Sequence, residues 1–189
     1  MSSILIVYGS HFGQTARIVE RLANRLTTAG HRVTVVRGDV PASLPAPGAY
    51  AAVVVAGSVE YGKHQPYLGE FVRAHAERLN GMPSAFISVC GAMAGTWEKG
   101  RATAHAYIER FLQETGWRPR LFRSLAGGIP YTRYGFLTRL LMQVISRATG
   151  RPTDTSRDWD LTDWDEVDRL AGELSRLAPM AEVAVGPAA

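Results

Sequence analysis

Cysteine is almost missing from this chain, where Cys90 stands alone. One thiol cannot close a disulfide within the chain, so packing must hold the fold together. The same scarcity fits a reducing compartment. Lysine is nearly missing too. Lys63 and Lys99 are the only two, so arginine carries the positive charge and leaves a net +4. No apolar run reaches the about 18 residues that a bilayer-spanning helix needs. Residues 1–8 lack the basic start, the long apolar stretch and the small-residue cleavage site of a signal peptide, so the cytoplasm is the expected location. The five histidines, His11, His31, His64, His75 and His105, have no cysteine beside them and no shared ligand spacing. No metal site is expected from that set. There is no GxGxxG and no GK[ST], which argues against a dinucleotide pyrophosphate site and against a P-loop. Nucleic acid binding would rest on net charge alone, with no recognised motif, and is not expected.

The 189 residues have globular composition, with 46% hydrophobic and 20% charged, which is enough for one domain with its own core. Residues 4–8 (ILIVY) form a short, β-branched, wholly apolar run, as expected of a strand buried on both faces. Residues 33–36, 51–56, 85–89 and 121–126 read as four more strands. Between them lie helical stripes. Ile18, Val19, Leu22, Ala23 and Leu26 make the first, stopped by Gly30. Tyr67, Leu68, Phe71, Val72, His75 and Leu79 make the second, and Tyr107, Ile108, Phe111 and Leu112 the third. A last helix begins near Thr162, read as its N-cap, and carries Trp164, Val167, Leu170, Ala171, Leu174 and Leu177. His31 and His75 read as helix-end or surface residues. Pro41, Pro45 and Pro47 mark a loop.

Strands alternating with helices predict an α/β fold with a doubly wound parallel sheet of five strands in the order 2-1-3-4-5. Ligands of such sheets bind beyond the carboxyl ends of the strands, at the switch point between strands 1 and 3. Residues 127–161 are too long for an ordinary connection and form an insertion before the last helix. Within it, residues 136–145 predict an amphipathic helix with the apolar stripe Phe136, Leu137, Leu140, Leu141, Val144 and Ile145. That stripe suits a bilayer surface, a homodimer interface or the protein's own core. The domain spans residues 1–178, and residues 179–189 read as a frayed tail.

Three loops gather at the expected ligand end. The first is Ser10, His11, Phe12, Gly13, Gln14 and Thr15. Free N–H groups at a helix start, with two hydroxyls beside them, suit a single phosphate, and they equally suit a capped helix with no ligand. The second holds Ser58, Val59, Glu60, Tyr61 and Gly62, with an aromatic on which a flat ring could stack. The third holds Cys90, Gly91, Ala92 and Trp97. Cys90 reads as a small buried hydrophobe rather than a nucleophile. A phosphate plus a flat ring describes flavin mononucleotide (FMN).

Residues 4–8 followed by 10–15 resemble the strand and phosphate loop of the flavodoxin family. The segments 58–62 (SVEYG), 79–86 (LNGMPSAF), 116–119 (GWRP), 153–155 (TDT) and 162–164 (TDW) are similar to the bacterial menaquinone-dependent protoporphyrinogen IX dehydrogenases. The likeness runs from about Ile4 to Leu177 and includes the insertion. It implies an FMN enzyme of heme biosynthesis that oxidises protoporphyrinogen IX and passes the electrons to a membrane quinone. Arg133, Arg139 and Lys63 are then candidate clamps for the substrate carboxylates. Contact with the inner membrane would run through residues 134–147. Two other functions fit the fold: an electron carrier, and an NAD(P)H-dependent quinone reductase. Carriers of this fold are generally acidic, and this chain is basic.

Overall fold

The computed structural model describes residues 1–40, 44–94 and 99–178. Five parallel strands make the central sheet: β1 (Ser3–Gly9), β2 (Arg32–Arg37), β3 (Ala52–Ser58), β4 (Ser84–Cys90) and β5 (Leu121–Ala126). Their order is β2-β1-β3-β4-β5, as predicted. The helices are α1 (Gln14–Thr28), α2 (Pro66–Ala74), α3 (Ala76–Gly81), α4 (Gly100–Thr115), α5 (Phe136–Ala148) and α6 (Trp164–Leu177).

Side chains alternate across a strand, so β1 feeds two cores. Ile4 and Ile6 face α1 and α6, packing with Ile18, Leu22, Leu26, Val167, Leu170 and Leu174. Leu5 and Val7 face the other side, with Leu68, Phe71, Leu79, Ile108, Phe111 and Trp117. β4 is buried along its whole length, and its sequence is apolar apart from the buried Ser84 and Ser88. Polar atoms in this layer are matched: Trp117 Nε1 donates to Ser84 Oγ, which donates to the Leu79 carbonyl.

Three local details differ from expectation. The stripe of residues 67–79 is two helices, because the chain turns at His75 (φ −121°, ψ 14°) with neither Gly nor Pro to signal it. The N-cap of α6 is Asp163, whose carboxylate accepts from Glu166 N–H at 3.0 Å. Thr162 instead donates to the Ala126 carbonyl, tying the start of α6 to the end of β5. His31 lies just past the end of α1, one of the two placements expected, but is buried, with Nε2 2.8 Å from Ser175 Oγ.

The insertion leaves and rejoins the body through a small antiparallel pair, β6 (Gly128–Ile129) and β7 (Trp159–Asp160). Tyr131 anchors it from inside. That side chain is fully buried, and its hydroxyl is bonded to Ser146 Oγ at 2.7 Å and to the Pro152 carbonyl at 2.9 Å. The apolar face of α5 is not core. Phe136 is 79% exposed and Leu137 78%, with Leu140, Leu141 and Val144 exposed beside them. Trp97, Pro41 and the tail 179–189 lie outside the described residues.

Candidate functional site

Gly9, Ser58 and Cys90 end three adjacent strands, with Gly9 opposite Gly57 and Ser58 opposite Val89, so each strand runs one residue further than the last across β1, β3 and β4. From β1 the chain turns to α1 on one face. From β3 it turns to α2 on the other, which opens the crevice of a doubly wound sheet.

At the first loop, Gly13 takes φ +92°, a left-handed conformation that glycine adopts at little cost, and no side chain caps α1. Ser10 Oγ accepts from Gly13 N–H at 3.1 Å. The first intrahelical bond runs from Arg17 N–H to the Gly13 carbonyl at 3.1 Å. The N–H groups of Gln14, Thr15 and Ala16 therefore have no backbone acceptor, and the first turn holds no acidic side chain. Thr15 is 1% exposed, and its hydroxyl has no hydrogen-bond partner among the described residues. A buried hydroxyl without a partner beside free helix N–H groups is a fit for a phosphate.

The second loop is a two-residue turn. Glu60 and Lys63 exchange both backbone hydrogen bonds, at 2.8 and 3.0 Å. Tyr61 (φ +48°) and Gly62 (φ +79°) form its tip, both with positive φ as a type I′ turn requires. Tyr61 is the only non-glycine with positive φ among the described residues, and its ring is 97% exposed. A strained backbone that displays an aromatic ring to solvent is the arrangement expected of a ligand contact. Ser58 Oγ accepts from Gln65 Nε2, and His11 Nδ1 stands 3.7 Å from Glu60 Oε2, joining the first loop to the second. Lys63 is exposed beside this turn.

After β4, a short 3-10 turn (Gly91–Met93) forms the third loop. The Cys90 sulfur accepts from Ala92 N–H, and burial pushes its thiol pKa up, so it stays protonated and is no nucleophile. Gly91 and Ala92 offer backbone and at most a methyl group there. Val59 is joined to its base, since Val59 N–H donates to the Val89 carbonyl.

The insertion is latched onto the first loop. Arg133 Nη1 donates to the Phe12 carbonyl at 2.7 Å, and its Nε faces Asp158 at 3.6 Å. Tyr134 packs edge-on against Phe12 at 5.4 Å, and burial pushes its phenol up to about 12. Gln14 Nε2 donates to Asp160 and to Thr162 Oγ1, while Arg17 pairs with Asp160 at 3.0 Å. Arg139 donates one guanidinium N–H to the Tyr134 carbonyl, and its buried Nε has no partner.

Two features of this region escaped the sequence. His64, just past the second loop, is buried, with Nε2 2.9 Å from Ser88 Oγ and its ring edge-on to Phe86 and Phe111. Burial lowers its pKa to about 4, so it is neutral. Arg151, in the polar turn after α5, reaches the third loop. Neither has a local signal, because each partner is far along the chain. Among the described residues no cluster of His, Cys, Asp and Glu could hold a metal ion. No described helix is long and apolar enough to cross a membrane.

Comparison with known proteins gives this geometry a context. A flavodoxin domain model matches residues 5–156. The protoporphyrinogen IX dehydrogenase [quinone] of Escherichia coli K12 is 35% identical over 177 residues, covering 92% of this chain and 94% of that one. The protein of the same name from Leishmania major is 33% identical, covering 92% and 74%. Among solved structures, oxidised Flavodoxin 1 from Bacillus cereus superposes with a TM-score of 0.55 at 13% identity, covering 93% of this chain and 98% of that chain. A flavodoxin from the domain Archaea superposes with a TM-score of 0.51 at 17% identity, covering 92% and 96%. The fold, the phosphate-fitting loop and an insertion within the matched length agree: the chain belongs to the flavodoxin domain family, among the protoporphyrinogen IX dehydrogenase [quinone] sequences.

Proposed function

We propose that this protein binds FMN and oxidises protoporphyrinogen IX to protoporphyrin IX, passing the electrons to a quinone as a step of heme biosynthesis. The observation that carries the reading is the match over nearly the whole length of both chains to enzymes named for that reaction. The phosphate of FMN would be held by the Ser10 and Thr15 hydroxyls and the N–H groups of Gln14, Thr15 and Ala16. The ring would lie between the second loop (Ser58, Val59, Glu60, Tyr61, Gly62) and the third (Cys90, Gly91, Ala92). His11, Phe12 and Gly13 complete the first loop. When bound, the flavin supplies the two-electron acceptor. The chain's own residues orient it and meet the substrate.

Arg139 and Lys63 are the cations we assign to the substrate carboxylates, since neither has a carboxylate partner among the described residues. Arg133 already bonds Phe12 and faces Asp158, so its role is to tie the insertion to the phosphate loop. The exposed face of α5 fits an anionic bilayer, from which a quinone would be met. Arg139 and Arg147 flank that face, α5 carries no acidic residue, and the chain is cationic overall.

The test is anaerobic. Protoporphyrinogen IX loses six electrons on the way to porphyrin and each flavin takes two, so adding it to the FMN-loaded protein should bleach about three bound flavins for each porphyrin formed, and added quinone should restore the flavin and let porphyrin accumulate. A flavin that stays oxidised in the presence of porphyrinogen overturns the reading. Rapid bleaching by NAD(P)H instead would identify a quinone reductase.

A further inference from the structure

Most arginines near the insertion and α1 have acceptors. Arg17 pairs with Asp160, Arg21 and Arg25 with Asp168, Arg133 with Asp158, and Arg157 with Asp154. Arg151 does not. Its side chain is only partly exposed, its Nε is out of reach of water, and that atom has no hydrogen-bond partner. No ion pair reaches it among the described residues. Its position is nonetheless held. Gly150 takes φ +68°, and Arg151 N–H donates to the Ser146 carbonyl at 2.8 Å, turning the chain back after α5. The buried Tyr131 hydroxyl grips Ser146 before it and the Pro152 carbonyl after it.

The guanidinium is aimed at the end of β4. A Cβ built on Gly91 would stand 3.5 Å from Arg151 Nη1. Among the described residues, the ionisable groups acting on it are Cys90, Tyr131 and Tyr134. Burial keeps Cys90 and Tyr134 protonated, so neither offers a negative charge. Holding a guanidinium in such a place without an acceptor among the described residues is costly, and a partly buried donor of this kind is suited to a bound anionic partner. The place is the third loop, against the backbone of Cys90 and Gly91.

We propose that Arg151 is a cofactor-binding residue. From the insertion it presents a cation to the flavin ring at the third loop, and it favours the two-electron-reduced ring, which is anionic at neutral pH, over the oxidised one. The assignment rests on the flavin reading above. It gives the insertion a part in setting the flavin potential as well as in meeting partners. A cation beside a group that gains negative charge stabilises the charged form more than the neutral one.

The test uses the full chain and no porphyrinogen. Arg151→Gln and Arg151→Met are compared with the parent and with Arg151→Lys, which keeps the charge. Three quantities are read: melting of the apoprotein, affinity for oxidised FMN by fluorescence quenching, and the two-electron midpoint of bound flavin against a reference dye. Both neutral variants should melt, as apoproteins, no lower than the parent, because they remove a cation without a partner. They should hold reduced flavin about tenfold more weakly relative to oxidised, which lowers the midpoint by about 30 mV for a two-electron couple. Arg151→Lys should recover most of that shift. A midpoint unmoved in both neutral variants overturns the proposal. So does an unmoved midpoint with a lower apoprotein melt, which makes Arg151 structural. A parent that retains no FMN would overturn the flavin reading itself, and this one with it.

Discussion

At the residue scale, the site is marked by groups left without partners. The Thr15 hydroxyl is buried and unbonded, so Thr15→Val removes a donor that the apoprotein does not use. The variant apoprotein should be as stable as the parent or more so. Its FMN affinity should fall about tenfold, or about 1.4 kcal/mol, read by flavin fluorescence titration. His64 gives a second prediction. Its folded pKa of about 4 lies below the ordinary 6.5, so the unfolded chain binds the extra proton first. Stability from this group is full above about pH 6.5, is lost as pH falls through about 4, and amounts to on the order of 3 kcal/mol. Urea melts between pH 7 and 4 should show that slope, and His64→Gln should flatten it. The residue choices at the first loop could be read from the sequence because they are local. Arg151 and His64 could not, because Gly91 and Ser88 lie 60 and 24 positions away and no periodicity joins them.

At the element scale, the sequence was most readable where burial is two-sided. β1, β3 and β4 are nearly unbroken apolar runs, and no other element would hide them. It was least readable where the outcome depends on neighbours. Residues 66–81 keep one apolar stripe through the turn at His75, so the periodicity cannot see the break. Thr162 and Asp163 are both good caps, and only the pull of Thr162 toward the Ala126 carbonyl decides between them. For α5 the stripe was evident, but a stripe does not say whether water, lipid or protein lies against it. We expect Leu137→Glu with Leu141→Glu to abolish flotation with anionic vesicles while leaving melting temperature and FMN affinity near the parent values, since both side chains face solvent. Loss of a dimer on gel filtration, with flotation unchanged, would assign the face to a second copy instead.

At the scale of the whole molecule, the ligand loops all hang from one end of a sheet whose two cores lie on either side of β1. FMN that binds only the folded chain should stabilise all of it. At a free concentration of a hundred times Kd, the gain is about 2.7 kcal/mol, visible as a higher melting temperature that climbs with added FMN. A melting temperature indifferent to FMN would mean that the loops do not close on it. The alternation of strand and helix was enough to foresee the sheet order, because right-handed crossovers leave few other arrangements. The hairpin that closes the insertion was hidden, since each of its strands is two residues long.

That hairpin makes the insertion a cassette. Gly128 sits opposite Asp160 and Ile129 opposite Trp159, so the chain enters and leaves at neighbouring points. Whatever lies between can lengthen, shorten or change its character without moving β5 or α6. The engineering counterpart is direct: bridging Ile129 to Trp159 by a tight turn should leave a folded five-stranded protein, stripped of its exposed apolar helix and of Arg151 together.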